Sequence, residues 1–167
     1  MRLDRQHYSA HTPPRLRELK KKGPQSIGRG RKGMSTKIHV GLSGNYLRGV
    51  CLSEGQRTDM KVFPILWAKG DWGQISDVIA DKGYDFYDVK KLVRDSGKTR
   101  IIPGCKGALY PGIQPKDKEK YKTRNAVERF FGKIKEHKRL ALRFDKLDIT
   151  FFSFFASACL KVFKLLC

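Results

Sequence analysis

With 167 residues, 40% of them hydrophobic, the chain has enough apolar material for one domain with a core and little room for a second. Its 36 Lys and Arg against 16 Asp and Glu give a formal charge of +20, an excess beyond the needs of solubility that points to a polyanion, nucleic acid ahead of anionic lipid. Secretion and membrane insertion are disfavoured: the first 33 residues are basic and polar, and the most apolar run, ITFFSFFASACL at 149–160, falls short of the ~20 residues a bilayer requires.

Arg2 to His11 reads as a strand able to join those that follow. TPPRLRELKKKGPQSIGRGRKG, residues 12–33, is rich in Pro, Gly and cations without sustained periodicity, and predicts a mobile basic loop that orders against phosphate. Its Lys20, Lys21, Lys22, Arg29, Arg31 and Lys32 are the expected phosphate contacts. Gly28, Gly30 and Gly33 spell GxGxxG, but a dinucleotide site needs a preceding strand and a following helix, and here a strand follows.

MSTKIHVGLS (34–43) and NYLRGVCLS (45–53) flank Gly44-Asn45, a turn signal between β-branched and apolar runs, and predict a hairpin. Residues 59–68 predict a short helix that Pro64 bends or delimits. The clearest α/β unit comes next: an apolar strand at 77–80, a turn at Asp81-Lys82-Gly83, an amphipathic helix near 85–96 and the strand TRIIP. Strand, helix, strand implies a parallel pair within a mixed sheet flanked by helices. A Gly- and Pro-rich loop spans 104–117, and helices are expected over roughly 118–139 and 148–166, a C-terminal helical part at 118–167 of a single domain.

In YKTRNAVERFFGKIK (121–135) one carboxylate stands among many cations. Helical phasing puts Arg124, Glu128 and Lys135 at about 300°, 340° and 320° from Tyr121, one narrow stripe. Val127, Phe130, Phe131 and Ile134 form an adjoining apolar stripe, so Glu128 borders the buried face. Arg124, four residues earlier, is a local ion-pair partner. Asp81, however, directly follows an apolar strand, at the carboxyl edge of a parallel sheet where ligands and chemistry gather. Two carboxylates from separate elements offer hard oxygen donors for Mg²⁺ or Mn²⁺, and a pair of such ions serves phosphodiester chemistry.

These residues resemble bacterial insertion-sequence transposases of the DDE class, most closely the insertion sequence five group. The diagnostic piece, Tyr-x2-Arg-x3-Glu-x6-Lys, is met by Tyr121, Arg124, Glu128 and Lys135. GPQSIGRGRKGMSTKIH (23–39), GQRTD (55–59), ADKGYD (80–85) and RFDKLDITFFSFFASACL (143–160) resemble segments of that family in the same order.

The resemblance implies an RNase H-like fold with an Asp, Asp, Glu triad holding two divalent ions, Mg²⁺ or Mn²⁺. Asp81 would be the second acid and Glu128 the third. Asp4 would be the first, with His11 at the family's offset and with Arg5 and Gln6 where the family has small residues; Asp59 is the substitute. Tyr121, Arg124 and Lys135 would hold terminal DNA phosphates. The implied protein hydrolyses the 3′ phosphodiester at transposon ends and joins the freed ends to target DNA, as at least a dimer, in the bacterial cytoplasm on the nucleoid. The alternative is a decayed copy acting only as a basic DNA-binding protein, and the start of the chain three residues before Asp4 is expected of a second reading frame, a fragment or such a copy.

The four cysteines, Cys51, Cys105, Cys159 and Cys167, contain no CxxC pair and predict free thiols rather than a zinc ribbon or disulfide framework. His7 and His11 lack an HExxH context for zinc. His39 and His137 are expected as surface or hydrogen-bonded residues, and Trp67 and Trp72 as core packing rather than platforms for an unpaired base.

Overall fold

In the computed structural model the described residues are 1–10, 25–30, 33–109 and 111–164; for residue 2 and residues 4–10 the description covers the backbone alone. The elements, in chain order, are strands β1 (Arg2–Ala10), β2 (Gly28–Gly30), β3 (Gly33–Ser43) and β4 (Tyr46–Glu54), helix α1 (Asp59–Lys69), strand β5 (Asp77–Ala80), a 3₁₀ turn (Lys82–Tyr84), helix α2 (Tyr87–Asp95) and strand β6 (Thr99–Ile101). A second 3₁₀ turn (Pro115–Asp117) leads to helices α3 (Lys118–Lys122), α4 (Asn125–Lys135) and α5 (Lys138–Ala141), strand β7 (Leu142–Arg143) and helix α6 (Asp148–Val162).

The strands form one mixed seven-stranded sheet in the order β2-β3-β1-β5-β6, with β4 paired to β3 and β7 to β1. β5/β6 are parallel, as the strand-helix-strand pattern requires, and β1/β5 are parallel too. β2 and β3 are antiparallel, with Gly28 opposite Ser35. The expected hairpin is present, and its turn needs the positive φ of +59° at Gly44, where a side chain would be strained. The expected mobile loop is corrected in part: Gly28–Gly30 is paired strand, whereas 12–24 and 31–32, with Arg31 and Lys32, lie outside the described residues.

The chain divides into two compact units: 1–5, 39–51 and 58–129 form the first, and 6–38, 52–57 and 130–167 the second. The first is built around Leu3, Phe63, Leu66, Val78, Tyr84 and Val93, all buried. Phe63 stacks on Trp67 and Trp67 on Trp72, with centroids 5.4 and 5.3 Å apart, and Trp72 Nε1–H donates to the Trp67 carbonyl at 2.6 Å. The tryptophans are thus used for packing. Gly70 is required beneath them, since a Cβ there would lie 1.8 Å from the Trp72 ring. Pro64 does not delimit α1; the helix runs through it and forgoes one backbone hydrogen bond.

The second unit depends on Arg143, whose side chain is fully buried. Its guanidinium donates to the Asp145 carbonyl at 3.0 Å, to Asp148 Oδ1 at 2.7 Å and to the Thr36 hydroxyl, and lies 4.7 Å from the Phe151 ring centroid. Asp148 also accepts from the Ser26 N–H at 2.6 Å, and its own N–H donates to Gln25 Oε1 at 2.7 Å. The base of the basic segment is thereby tied to the start of α6. Behind it Phe151 and Phe155 are buried, and Phe130 meets Phe155 edge-on at 6.3 Å and stacks on Phe163 at 5.5 Å.

α6 has 15 residues rather than the expected run to 166, and among the described residues no helix is long and apolar enough to cross a membrane. Cys51, Cys105 and Cys159 are free thiols; burial pushes the Cys159 thiol up to about 12, where it is inert. Cys167 lies outside the described residues. His39 is buried, 1% exposed, and engaged with a neighbour, so the surface alternative falls and the bonded one stays open.

Removing the buried Arg143 charge strands Asp148 and the Thr36 hydroxyl together. Arg143→Leu should cost about 3 kcal/mol and lower Tm by roughly 6–12 °C for a chain of this size in a circular-dichroism melt; a drop within experimental scatter would show that the network contributes nothing net.

Candidate active site

The site begins with backbone register. Arg2 lies opposite Ile79 and Leu3 opposite Ala80 on the parallel neighbours β1 and β5. The Ile79 N–H donates to the Met1 carbonyl at 2.7 Å and the Met1 ammonium to the Asp77 carbonyl at 2.7 Å, which pins that alignment. The next residue on β1 is Asp4 and the next after β5 is Asp81. The two expected acids therefore take adjacent backbone positions in one unit, at the carboxyl edge of β5.

Asp81 is exposed and caps the 3₁₀ turn that follows, its Oδ1 accepting the Lys82 N–H at 2.7 Å. Cap residues of this kind are held in extended backbone, here φ −70° and ψ 162°, so the carboxylate projects from the strand end instead of joining the helix. Asp59, 5% exposed, opens α1 beside the same turn, its Oδ2 3.6 Å from where a Gly83 Cβ would stand. A buried carboxylate under the turn suits support of the loop rather than contact with a substrate.

The single helix expected over 118–139 is corrected to three short ones, α3, α4 and α5. The first break falls at Thr123-Arg124, where the Thr123 hydroxyl donates to the Lys120 carbonyl at 2.6 Å, the local competition with helix bonding that Thr offers. Helical phase is therefore lost between Tyr121 and α4. The two remain linked by the Arg124 guanidinium, 5.8 Å from the Tyr121 ring centroid.

On α4 the expected boundary is present: Val127 is fully buried and the Glu128 side chain is 49% exposed. Arg124 forms a salt bridge with Glu128 four residues on, so the local ion pair read from spacing is made. Lys135 is exposed at the end of α4, and Arg29 is exposed on β2. Arg31, Lys32 and His11 lie outside the described residues, as do the side chains of Asp4 and His7. Among the described residues no three His, Cys, Asp or Glu side chains gather at ligating range.

Sequence reasoning passed over Asp85. Its side chain, 4% exposed, accepts from Lys90 Nζ at 2.5 Å and from the Cys105 N–H at 2.9 Å, with Arg100 at 3.9 Å. Burial alone would raise this carboxyl; the Lys90 ammonium and the Cys105 N–H outweigh it, and the group titrates below its ordinary 3.8. Arg143 was also missed, although a cation beside Asp145 and Asp148 in so basic a chain is a legible signal.

The sequence model of the family described as Transposase DDE domain matches residues 3–161 of the chain. No curated protein and no solved structure matches it.

Because the folded Asp85 pKa lies below the unfolded value, its contribution to stability is complete above 3.8 and lost as pH falls through the lower folded value. Asp85→Asn should therefore lower Tm at pH 7, with the gap from the parent chain closing below pH ~3.8; a gap constant across a pH series of thermal melts would show that the Asp85 ion pairs contribute nothing.

Proposed function

The chain belongs to the transposase DDE-domain family, and from that premise we propose that it is the RNase H-like catalytic domain of an insertion-sequence transposase of the insertion sequence five group. The proposed reaction is hydrolysis of the 3′ phosphodiester at the element's ends, then attack of the freed 3′ hydroxyl on a target phosphodiester. The observation that supports it most is the β1/β5 register, since a nucleotidyl-transfer site needs carboxylates converging at one sheet edge, and Asp4 and Asp81 are the residues that follow the paired Leu3 and Ala80.

Asp4, Asp81 and Glu128 are the residues proposed to hold two divalent ions. The donor chemistry fits: Asp81 and Glu128 are exposed carboxylates, hard oxygen donors of the kind Mg²⁺ and Mn²⁺ take. When bound, such ions supply Lewis acidity at the phosphoryl oxygens and a nucleophile at neutral pH. Arg124 is suited to two duties, orienting Glu128 through their ion pair and meeting a phosphate with the rest of its fork. Tyr121, stacked on it, and Lys135 would hold terminal phosphates, with Arg29, Arg31 and Lys32 along the DNA backbone. Synapsis of two ends implies at least a dimer.

One observation favours a second reading, a basic DNA-binding protein without catalysis. The Glu128 carboxylate is already neutralised by Arg124, and Arg5 and Gln6 follow Asp4 where the family pattern has small residues. Glu128→Gln and Asp81→Asn separate the two. With Mn²⁺ and DNA carrying the element's own ends, each should abolish nicking, by at least about a hundredfold, while leaving affinity unchanged or slightly higher because a negative charge is lost. Nicking that survives both substitutions, or that the parent chain never shows, sinks the catalytic assignment.

A further inference from the structure

Beside the proposed carboxylates, the first unit carries a cationic cavity that the catalytic reading does not use. Lys90 and Arg94, one turn apart on α2, face Lys98 and Arg100 around a space of about 220 Å³ lined by these four residues. Lys98 Nζ is fixed by the Trp72 and Ile75 carbonyls at 2.7 and 2.8 Å, and Lys90 by Asp85 at 2.5 Å. The cations are thus held together against their mutual repulsion by the fold, with Asp85 offsetting Lys90 and, at 3.9 Å, Arg100.

A second space of about 450 Å³ shares Lys90 and Arg100 with the first and has an apolar wall from Ile101, Ile102, Leu109 and Ile113, with Thr99 and Gln114 as polar points. Lys116 adds another cation, and Asp85 and Asp117 two carboxylates, to its lining. The parallel register sets Ile101 opposite Ile79, so the loop that completes this wall leaves β6 one strand away from Asp81. Leu109, 88% exposed, stands at the rim of this space, where its apolar side chain is open to a ligand.

We propose that this pair of cavities is a subsite for one unpaired nucleotide of a DNA strand, its phosphate among Lys90, Arg94, Lys98 and Arg100 and its base against Ile101, Ile102, Leu109 and Ile113. An anion is what this lining selects, with Arg94 and Arg100 to meet it and Lys90 and Lys98 adding positive charge from fixed positions, and a space of this size with an apolar wall suits one planar base rather than a stacked pair. The subsite rests on the reading of the chain as a DNA-processing domain and deepens it, naming a strand with an unstacked base as the substrate form.

The test measures fluorescence anisotropy of a labelled ~20-nucleotide oligothymidylate and of a duplex of equal length, in EDTA, so that binding is independent of metal-dependent cleavage. Arg94→Gln with Arg100→Gln, both exposed positions, should weaken oligothymidylate binding about tenfold and reduce the salt slope by ~1.4, two contacts at ~0.7 each. Lys61→Gln with Lys69→Gln, which removes equal charge from exposed positions on α1, should change it less than about twofold. Leu109→Ser should cost about fivefold on the single strand and nothing on the duplex.

Equal losses from the two charge-removing pairs, or equal effects of Leu109→Ser on both DNAs, overturn the subsite. Displacement of the oligonucleotide by thymidine 5′-monophosphate at comparable nucleotide concentration assigns the cavity to a free nucleotide and overturns the strand. A chain that never nicks yet shows the cavity-specific loss sinks the catalytic reading alone, whereas one that nicks and shows no such loss sinks the subsite alone.

Discussion

The pairing of β1 with β5 is the constraint on which the first unit depends. Three residues at the start of the chain, Met1 to Leu3, lie against Asp77 to Ala80, held by the Ile79 N–H on the Met1 carbonyl and the Met1 ammonium on the Asp77 carbonyl. Leu3, Val78 and Ala80 are all 0% exposed, so a slip of β1 by one residue would replace Leu3 in the core by the charged Arg2 or Asp4. The same alignment puts the backbones of Asp4 and Asp81 side by side, each one residue beyond the paired Leu3 and Ala80. Hydrophobic register therefore does the positioning, and the carboxylates follow from it.

Charge imposes the second constraint. In a chain with 36 Lys and Arg to 16 Asp and Glu, many of the described carboxylates are engaged with cations: Asp77 with Lys120, Asp85 with Lys90, Asp145 with Arg139, Asp148 with Arg143, Glu128 with Arg124. These pairs hold elements together, β5 to α3 and β7 to α6, and leave a large cationic surplus. Such a surplus opposes compaction unless a polyanion is bound, which links the stability of the fold to the partner its composition implies.

Much of the fold was legible because hydrophobic period and turn chemistry agree locally. The β3/β4 hairpin with Gly44, β5 bounded by Asp81, and the parallel crossover to β6 all follow from patterns short enough to be decided within a few residues. The continuous helix over 118–139 was not, because nothing in its apolar spacing records that the Thr123 hydroxyl takes the Lys120 carbonyl and breaks the phase. The strand at Gly28–Gly30 was hidden by its composition: glycines and an arginine read as loop, and only pairing with Met34 and Ser35 makes them a strand.

By itself the sequence determined the family, the basic character, the mixed α/β class and the local setting of two carboxylates, Asp81 just past a buried strand and Glu128 on the border of a buried helix face, since each of these is a property of order and spacing along the chain. Tertiary structure alone decided what is near what across long separations: Asp4 beside Asp81 in register, Arg143 buried between Thr36 and Asp148, and Lys90, Arg94, Lys98 and Arg100 gathered around one cavity. The physical reason is that charge pairing and strand register are set by groups many residues apart, whose meeting depends on how the apolar core closes rather than on any local preference.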